Sequence, residues 1–137
     1  MELRYEGRFA MRDPANFKRL LDPEVVGKAF PGVSSISREG EWYRARAAVG
    51  VGSLKGAMDV RFKYSEARED RATVVGTASG LQSVVDFTIS FFAEGREVRW
   101  IFQGNARGLI SALGRPVVDA AARSIVEKVT ANLQGLV

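Results

Sequence analysis

The sequence predicts an α+β domain in which a seven-stranded antiparallel sheet is covered on one face by a long C-terminal helix. Three observations carry that prediction. Apolar and polar residues alternate through most of the first 105 positions, the period of half-buried strands. The connecting turns are too short for the crossovers that parallel pairing requires, so the sheet is an antiparallel meander. From residue 106 the apolar spacing changes to three to five residues, the period of a helix. Residues 1–137 make a single domain, long enough to bury about two-thirds of its unfolded surface and to fold without disulfides or structural metal.

The first strand occupies residues 2–11, with Leu3, Tyr5, Gly7, Phe9 and Met11 on one side and Glu2, Arg4, Glu6 and Arg8 on the other. Asp13-Pro14 and Asp22-Pro23 each read as a helix start, an N-cap followed by proline at the first helical position. They predict two short tandem helices, which Pro31-Gly32 ends. Strands then follow at 33–38, 42–51, 54–64, 71–79, 84–93 and 97–104. The third of these is the cleanest, alternating Leu54, Gly56, Met58, Val60, Phe62 and Tyr64 with Lys55, Asp59, Arg61 and Lys63. In the tail, Leu109, Leu113, Val118, Ala121, Ala122, Ile125, Val129 and Leu133 mark one apolar stripe, which Val117 and Val126 widen, and Asn105 is the expected N-cap. Gly114-Arg115-Pro116 predicts either a kink or a short helix followed by one of about 20 residues. A helix with so broad an apolar stripe must lie across the apolar face of the sheet.

Composition narrows the chemistry. The chain has no His and no Cys, which excludes thiol and Ser-His-Asp catalysis and removes the commonest metal ligands. No metal site, cofactor or catalytic residue is therefore expected. The net charge of +4 is spread along the chain without a basic tail, so a nucleic-acid partner is not expected. Neither Gly-Val-Gly-Ser nor Gly-Asn-Ala-Arg-Gly has the spacing of a phosphate-binding loop. The first residues lack a signal-peptide core, and no apolar run approaches the roughly 18 residues of a membrane span. A cytoplasmic protein without an integral membrane anchor is expected.

Positive evidence for a site comes from aromatics and glycines. The alternation sends Tyr43, Phe62, Tyr64, Phe87, Phe91, Trp100 and Phe102 to the helix-facing side, with Met58, Val85, Ile89 and Val98 between them. Val49 on the third strand joins them, and Phe30, Leu113, Val118 and Ile125 are the expected contributions from the helical segments. Apolar walls with few polar groups suit a hydrophobic small molecule, although the same side chains would also serve as a filled core. Trp100 and Tyr64 stand out because each has a polar atom that must find a partner when buried. Gly50, Gly52, Gly56, Gly76, Gly80 and Gly104 fall in or beside strands, where glycine marks bends. A sheet bent around one helix leaves space beneath it, and missing side chains would enlarge that space; turns alone are the other explanation. Asp59 and Asp86 fall on the opposite face, and Glu24 suits the first turn of its helix, so no paired carboxylates point inward.

The order strand, two short helices, six strands and one long helix resembles the helix-grip fold of START and birch-pollen-allergen-like (SRPBCC) proteins. Asp22-Pro23-Glu24, Phe30-Pro31-Gly32, Val49-Gly50-Val51-Gly52 through Lys55-Gly56, Gly108 and Leu113-Gly114 are similar to the CoxG family of carbon monoxide dehydrogenase proteins, over essentially the whole chain. Ser53 stands where family members often have Pro. The resemblance implies cavity binding of a lipid- or quinone-like molecule, in the service of a molybdenum hydroxylase complex. Longer relatives continue into a hydrophobic tail. This sequence ends at Val137, so membrane anchoring is not carried over, and at most a peripheral place at the membrane is expected. Two other readings stay open. One is an assembly or recruitment factor acting through protein contacts. The other is an aromatase or cyclase of the kind some helix-grip proteins are, with Tyr64 or a serine assisting.

Overall fold

Strand β1 (Glu2–Ala10) turns Leu3 and Phe9 inward and Arg4 and Arg8 to solvent in a computed structural model that describes residues 1–137. Asp13 and Asp22 each start a helix, their carboxylates accepting backbone N–H bonds of 2.9 Å from Ala15 and Glu24. The first is a 3-10 helix, Pro14–Leu21, and the second is α1, Pro23–Ala29. Phe17, Leu20, Val26 and Ala29 are their buried face. Strands β2 (Val33–Glu39), β3 (Trp42–Val51), β4 (Leu54–Ala67), β5 (Arg71–Gly80), β6 (Ser83–Glu94) and β7 (Glu97–Gly108) follow.

All neighbouring strands pair antiparallel, in the order β1-β7-β6-β5-β4-β3-β2. The two short helices thus carry the chain from one edge of the sheet to the other. Register then aligns whole rows of side chains, because residues directly opposite share a face. One row reads Gly104, Phe87, Gly76, Phe62 and Tyr43; a second reads Tyr5, Phe102, Ile89, Val74 and Tyr64; a third reads Gly7, Trp100, Phe91 and Ala72. These rows floor the concave face of a curved sheet.

Strand β7 runs to Gly108 rather than ending at Gly104, which corrects one assignment. Asn105 does not cap a helix. It lies in β7 opposite Glu2 and Asp86, and its side-chain oxygen accepts from the N-terminal ammonium at 3.2 Å. Strand β6 continues past this point to Ser83 and the Ala106 N–H donates to the Met1 carbonyl, so backbone hydrogen bonds satisfy what a cap would have served, and Ala106 becomes fully buried. Gly108, at φ +95°, ends the strand in a conformation that side chains rarely adopt. Helix α2 (Leu109–Ala112) follows, and after Gly114 comes α3 (Arg115–Gln134), 20 residues long.

Helix α3 is held at its two ends. Near its start, Arg115 donates to the Glu2 carbonyl (2.7 Å), the Tyr5 hydroxyl donates to Asp119 Oδ1 (2.7 Å), and Val117 lies against Gly52 in the β3–β4 turn. Near its end, Asn132 donates to the Ala29 carbonyl (2.8 Å), and the Val137 carbonyl accepts from the Arg12 N–H (2.9 Å). The helix therefore accompanies β1 in the same direction. Its apolar stripe is less deeply seated than the sequence predicts: only Val118 and Leu133 are buried, and Val117 is 37% exposed beside the turn.

Candidate functional site

The buried residues form two clusters rather than one. Leu3, Val51, Met58, Ala106, Ile110 and Val118 seal the end where α3 begins. The larger cluster, which includes Phe9, Phe17, Phe62, Phe91, Trp100 and Leu133, seals the end where α3 finishes. Between them several helix-facing side chains are only half-buried, although Ile89 and Val74 in the same rows are buried. Tyr5, Phe87, Phe102, Val60 and Val85 line the sheet side of this interval, and Ala121, Ala122, Ile125 and Val126 the helix side. Ile125 is half-buried yet packs against neither cluster. Apolar side chains of the sheet and of α3 that both stay partly accessible make the middle of α3 the candidate place for an apolar molecule.

Each residue expected at the site has a definite place. Met58, Phe62, Phe91, Trp100 and Val118 are buried within the two clusters. Phe30, Tyr43, Val49, Tyr64, Phe87, Phe102, Leu113 and Ile125 are half-buried. Phe87 and Phe102 lie nearly parallel with ring centroids 6.0 Å apart, Tyr5 meets Phe102 at 6.0 Å, and Tyr43 stacks on Phe62 at 5.6 Å. The concave face thus carries a nearly continuous aromatic floor.

The glycines of that floor do not leave holes. A Cβ on Gly76 would stand 2.6 Å from Cζ of Phe87 and 3.0 Å from Cβ of Phe62, and one on Gly104 would stand 3.1 Å from Cε1 of Phe102. A Cβ on Gly7 would stand 2.7 Å from Trp100 Cζ2. Neighbouring rings occupy the space, lying flat on the backbone. The glycines therefore lower the aromatic floor and so preserve room above it, which is a different mechanism from leaving gaps within it. Sequence reasoning names neither Gly7 nor Tyr5 as a site residue. The signal that marks them is their inward register in a strand whose other inward positions are large.

Polar groups on this surface are few. The Tyr5 hydroxyl, bound to Asp119, has its pKa pushed up to about 12, first by burial and then by that hydrogen bond. Tyr64 donates to the Leu20 carbonyl at 2.7 Å, and burial, aided by the Asp22 carboxylate, pushes its phenol well above the usual range. Both are neutral at physiological pH and already engaged. Every polar side-chain atom sealed from solvent has a partner. Asp86 faces outward, paired with Arg107 at 2.8 Å. Such a surface can hold an apolar molecule and offers little for proton transfer.

Two depressions lie elsewhere. One, of about 400 Å³, opens between the end of β1 and the end of α3, at Met11, Arg12, Ala131 and Gln134. The other, of about 430 Å³, is a shallow groove on the convex face, crossing Val75, Thr77, Thr88 and Gln103 with Trp42 among its walls. No helix is long and apolar enough to cross a membrane.

The family model for CoxG, a carbon monoxide dehydrogenase subunit, matches residues 7–137. Among curated proteins no relative is found by sequence. Among solved structures, a conserved protein from Geobacillus kaustophilus is similar at TM-score 0.80 and 15% identity, covering 98% of this chain and 93% of that one. A protein of Thermus thermophilus matches at TM-score 0.69 and 19% identity, over 98% and 95% of the two chains. The major latex-like protein 151 of Panax ginseng matches at TM-score 0.68 and 14% identity, over 98% and 97%. These likenesses establish the helix-grip fold.

Proposed function

The chain belongs to the CoxG family of carbon monoxide dehydrogenase proteins, and on that footing we propose that it binds a hydrophobic small molecule, lipid- or quinone-like, between the concave sheet and α3. One observation carries the reading. Several apolar side chains of the sheet and of α3, Phe87, Phe102 and Ile125 among them, stay only half-buried, and Ile125 packs against neither cluster. In a filled core the same residues would be buried against one another, since protein interiors pack as densely as organic crystals. The apolar walls suit holding such a molecule as a carrier, and the family supports delivery to a carbon monoxide dehydrogenase or related molybdenum hydroxylase as the destination.

Native mass spectrometry of protein purified without detergent, followed by solvent extraction, tests the reading. A co-purifying lipophile, or saturable uptake of an octyl-substituted naphthoquinone by the emptied protein, is the expected result. Protein that carries nothing and takes up no such probe refutes it. Capture of molybdenum hydroxylase chains on the immobilised protein, stronger when it is loaded than when it is emptied, tests the destination.

A further inference from the structure

Trp100 is a buried, inward-facing aromatic whose one polar atom has no protein partner. Only 8% of the residue is exposed, and its indole N–H donates to no protein atom. Since sealed polar side-chain atoms all have partners, this N–H opens onto accessible space. The ring lies over β1, where a Cβ on Gly7 would stand 2.7 Å from Cζ2 and 3.1 Å from Nε1. Gly7 falls in the interval along which β1 and α3 share no hydrogen bond, between the Tyr5–Asp119 bond and the Arg12–Val137 bond. Half-buried Val126 and Ile125 belong to the helix along the same interval. Arg123, one turn beyond Asp119, is close enough for its charge to act on the Tyr5 hydroxyl.

An indole N–H donates and cannot accept. A hydrocarbon bound beside it would leave it unpaired, whereas a carbonyl or ether oxygen would satisfy it. We propose that the Trp100 N–H anchors a hydrogen-bond-accepting oxygen, such as a carbonyl, of the apolar molecule held under α3, and that Gly7 is small so that the indole can reach this position. The inference rests on the carrier reading and adds a specificity to it: among molecules of equal apolar size, the protein selects the one that carries an acceptor.

Two probes of matched outline separate the outcomes, an octyl-substituted naphthoquinone and the corresponding octylnaphthalene. The wild-type protein is expected to bind the quinone about tenfold more tightly, the worth of one buried hydrogen bond. In protein labelled with nitrogen-15 at tryptophan there are two indole N–H resonances, from Trp42 and Trp100, which Trp42→Phe assigns. The quinone is expected to move the Trp100 proton downfield, and the octylnaphthalene to leave it in place. Incorporating benzothienylalanine at position 100, which keeps the ring and lacks the N–H, should equalise the two affinities. If that variant does not fold, the wild-type resonance decides alone. Equal binding of both probes with an unmoved resonance, or a quinone preference that survives the isostere, overturns the anchor while the carrier reading stands. Failure of the wild-type protein to bind either probe overturns both.

Discussion

Substituting Gly7 by Ala tests the packing of the aromatic floor at the point where the structure makes it tightest. The added Cβ would stand 2.7 Å from Cζ2 and 2.9 Å from Cε2 of Trp100, closer than carbon atoms approach, so the indole must shift. Overpacking of this kind costs about 1–3 kcal/mol. Against it stands a gain of about 0.4–1 kcal/mol from the lower entropy of the unfolded chain. The net loss is then between about zero and roughly 2.6 kcal/mol. An unfolding entropy of about 2.1 cal/mol/K per residue gives roughly 0.29 kcal/mol/K for 137 residues, so Tm should fall by up to roughly 9 °C. Urea titration followed by far-UV circular dichroism measures the loss, and a double-mutant cycle with Trp100→Phe assigns its cause. In the Phe background the clash disappears, so Gly7→Ala should become neutral or stabilising, a coupling of about 1–3 kcal/mol. Strictly additive effects in the cycle would refute the claim that Gly7 exists to seat the indole.

Three further outcomes are expected. Tyr64→Phe leaves the Leu20 carbonyl without its donor in a half-buried setting and should cost about 1–2 kcal/mol in urea titration; an unchanged midpoint would show that water replaces the bond freely. Tyr5 and Tyr64 have raised pKa values in the fold, so their contribution is complete below pH 10 and is lost as pH climbs toward about 12. Stability measured at stepped pH should fall over that window, and the Tyr5→Phe, Tyr64→Phe double variant should fall less steeply; parallel curves would sink the assignment. Ile125→Trp adds bulk at a half-buried position that packs against neither cluster. It should weaken binding of the octyl-substituted naphthoquinone by more than about tenfold while keeping thermal stability near wild type, and unchanged affinity would place the ligand elsewhere.

The sheet was legible in the sequence because period-two alternation and turn residues act locally, residue by residue. The inward register of Tyr43, Phe62, Phe87 and Trp100 follows from that alternation alone, and the antiparallel ladders reproduce it. The end of β7 was not legible. Asn105 reads as a cap until one knows that β1 and β6 extend beside it, and that is a property of the neighbouring strands. Burial of the helix stripe was overstated for a related reason. Periodicity says which side of α3 faces inward but not how near the sheet comes, and that distance is set by anchors at the two ends, such as Arg115 on Glu2 and Asn132 on Ala29.

End anchoring also explains how one sequence can be stable and still hold a cleft. A helix packed along its whole length would bury Ile125 as fully as Val118 and Leu133, a burial worth about 1.5–3 kcal/mol. Here that stabilisation is forgone in the middle and recovered at the ends, where Val118 and Ile110 close one cluster and Leu133 and Val137 the other. Hydrogen exchange should register this division. Amides near residues 121–129 are expected to exchange faster than those of β6 and β7, because little of that part of the helix is buried. An apolar probe bound beneath would supply the missing contacts and slow them selectively. Protection of the helix centre equal to that of the central strands in emptied protein would mean that no cleft exists to be filled.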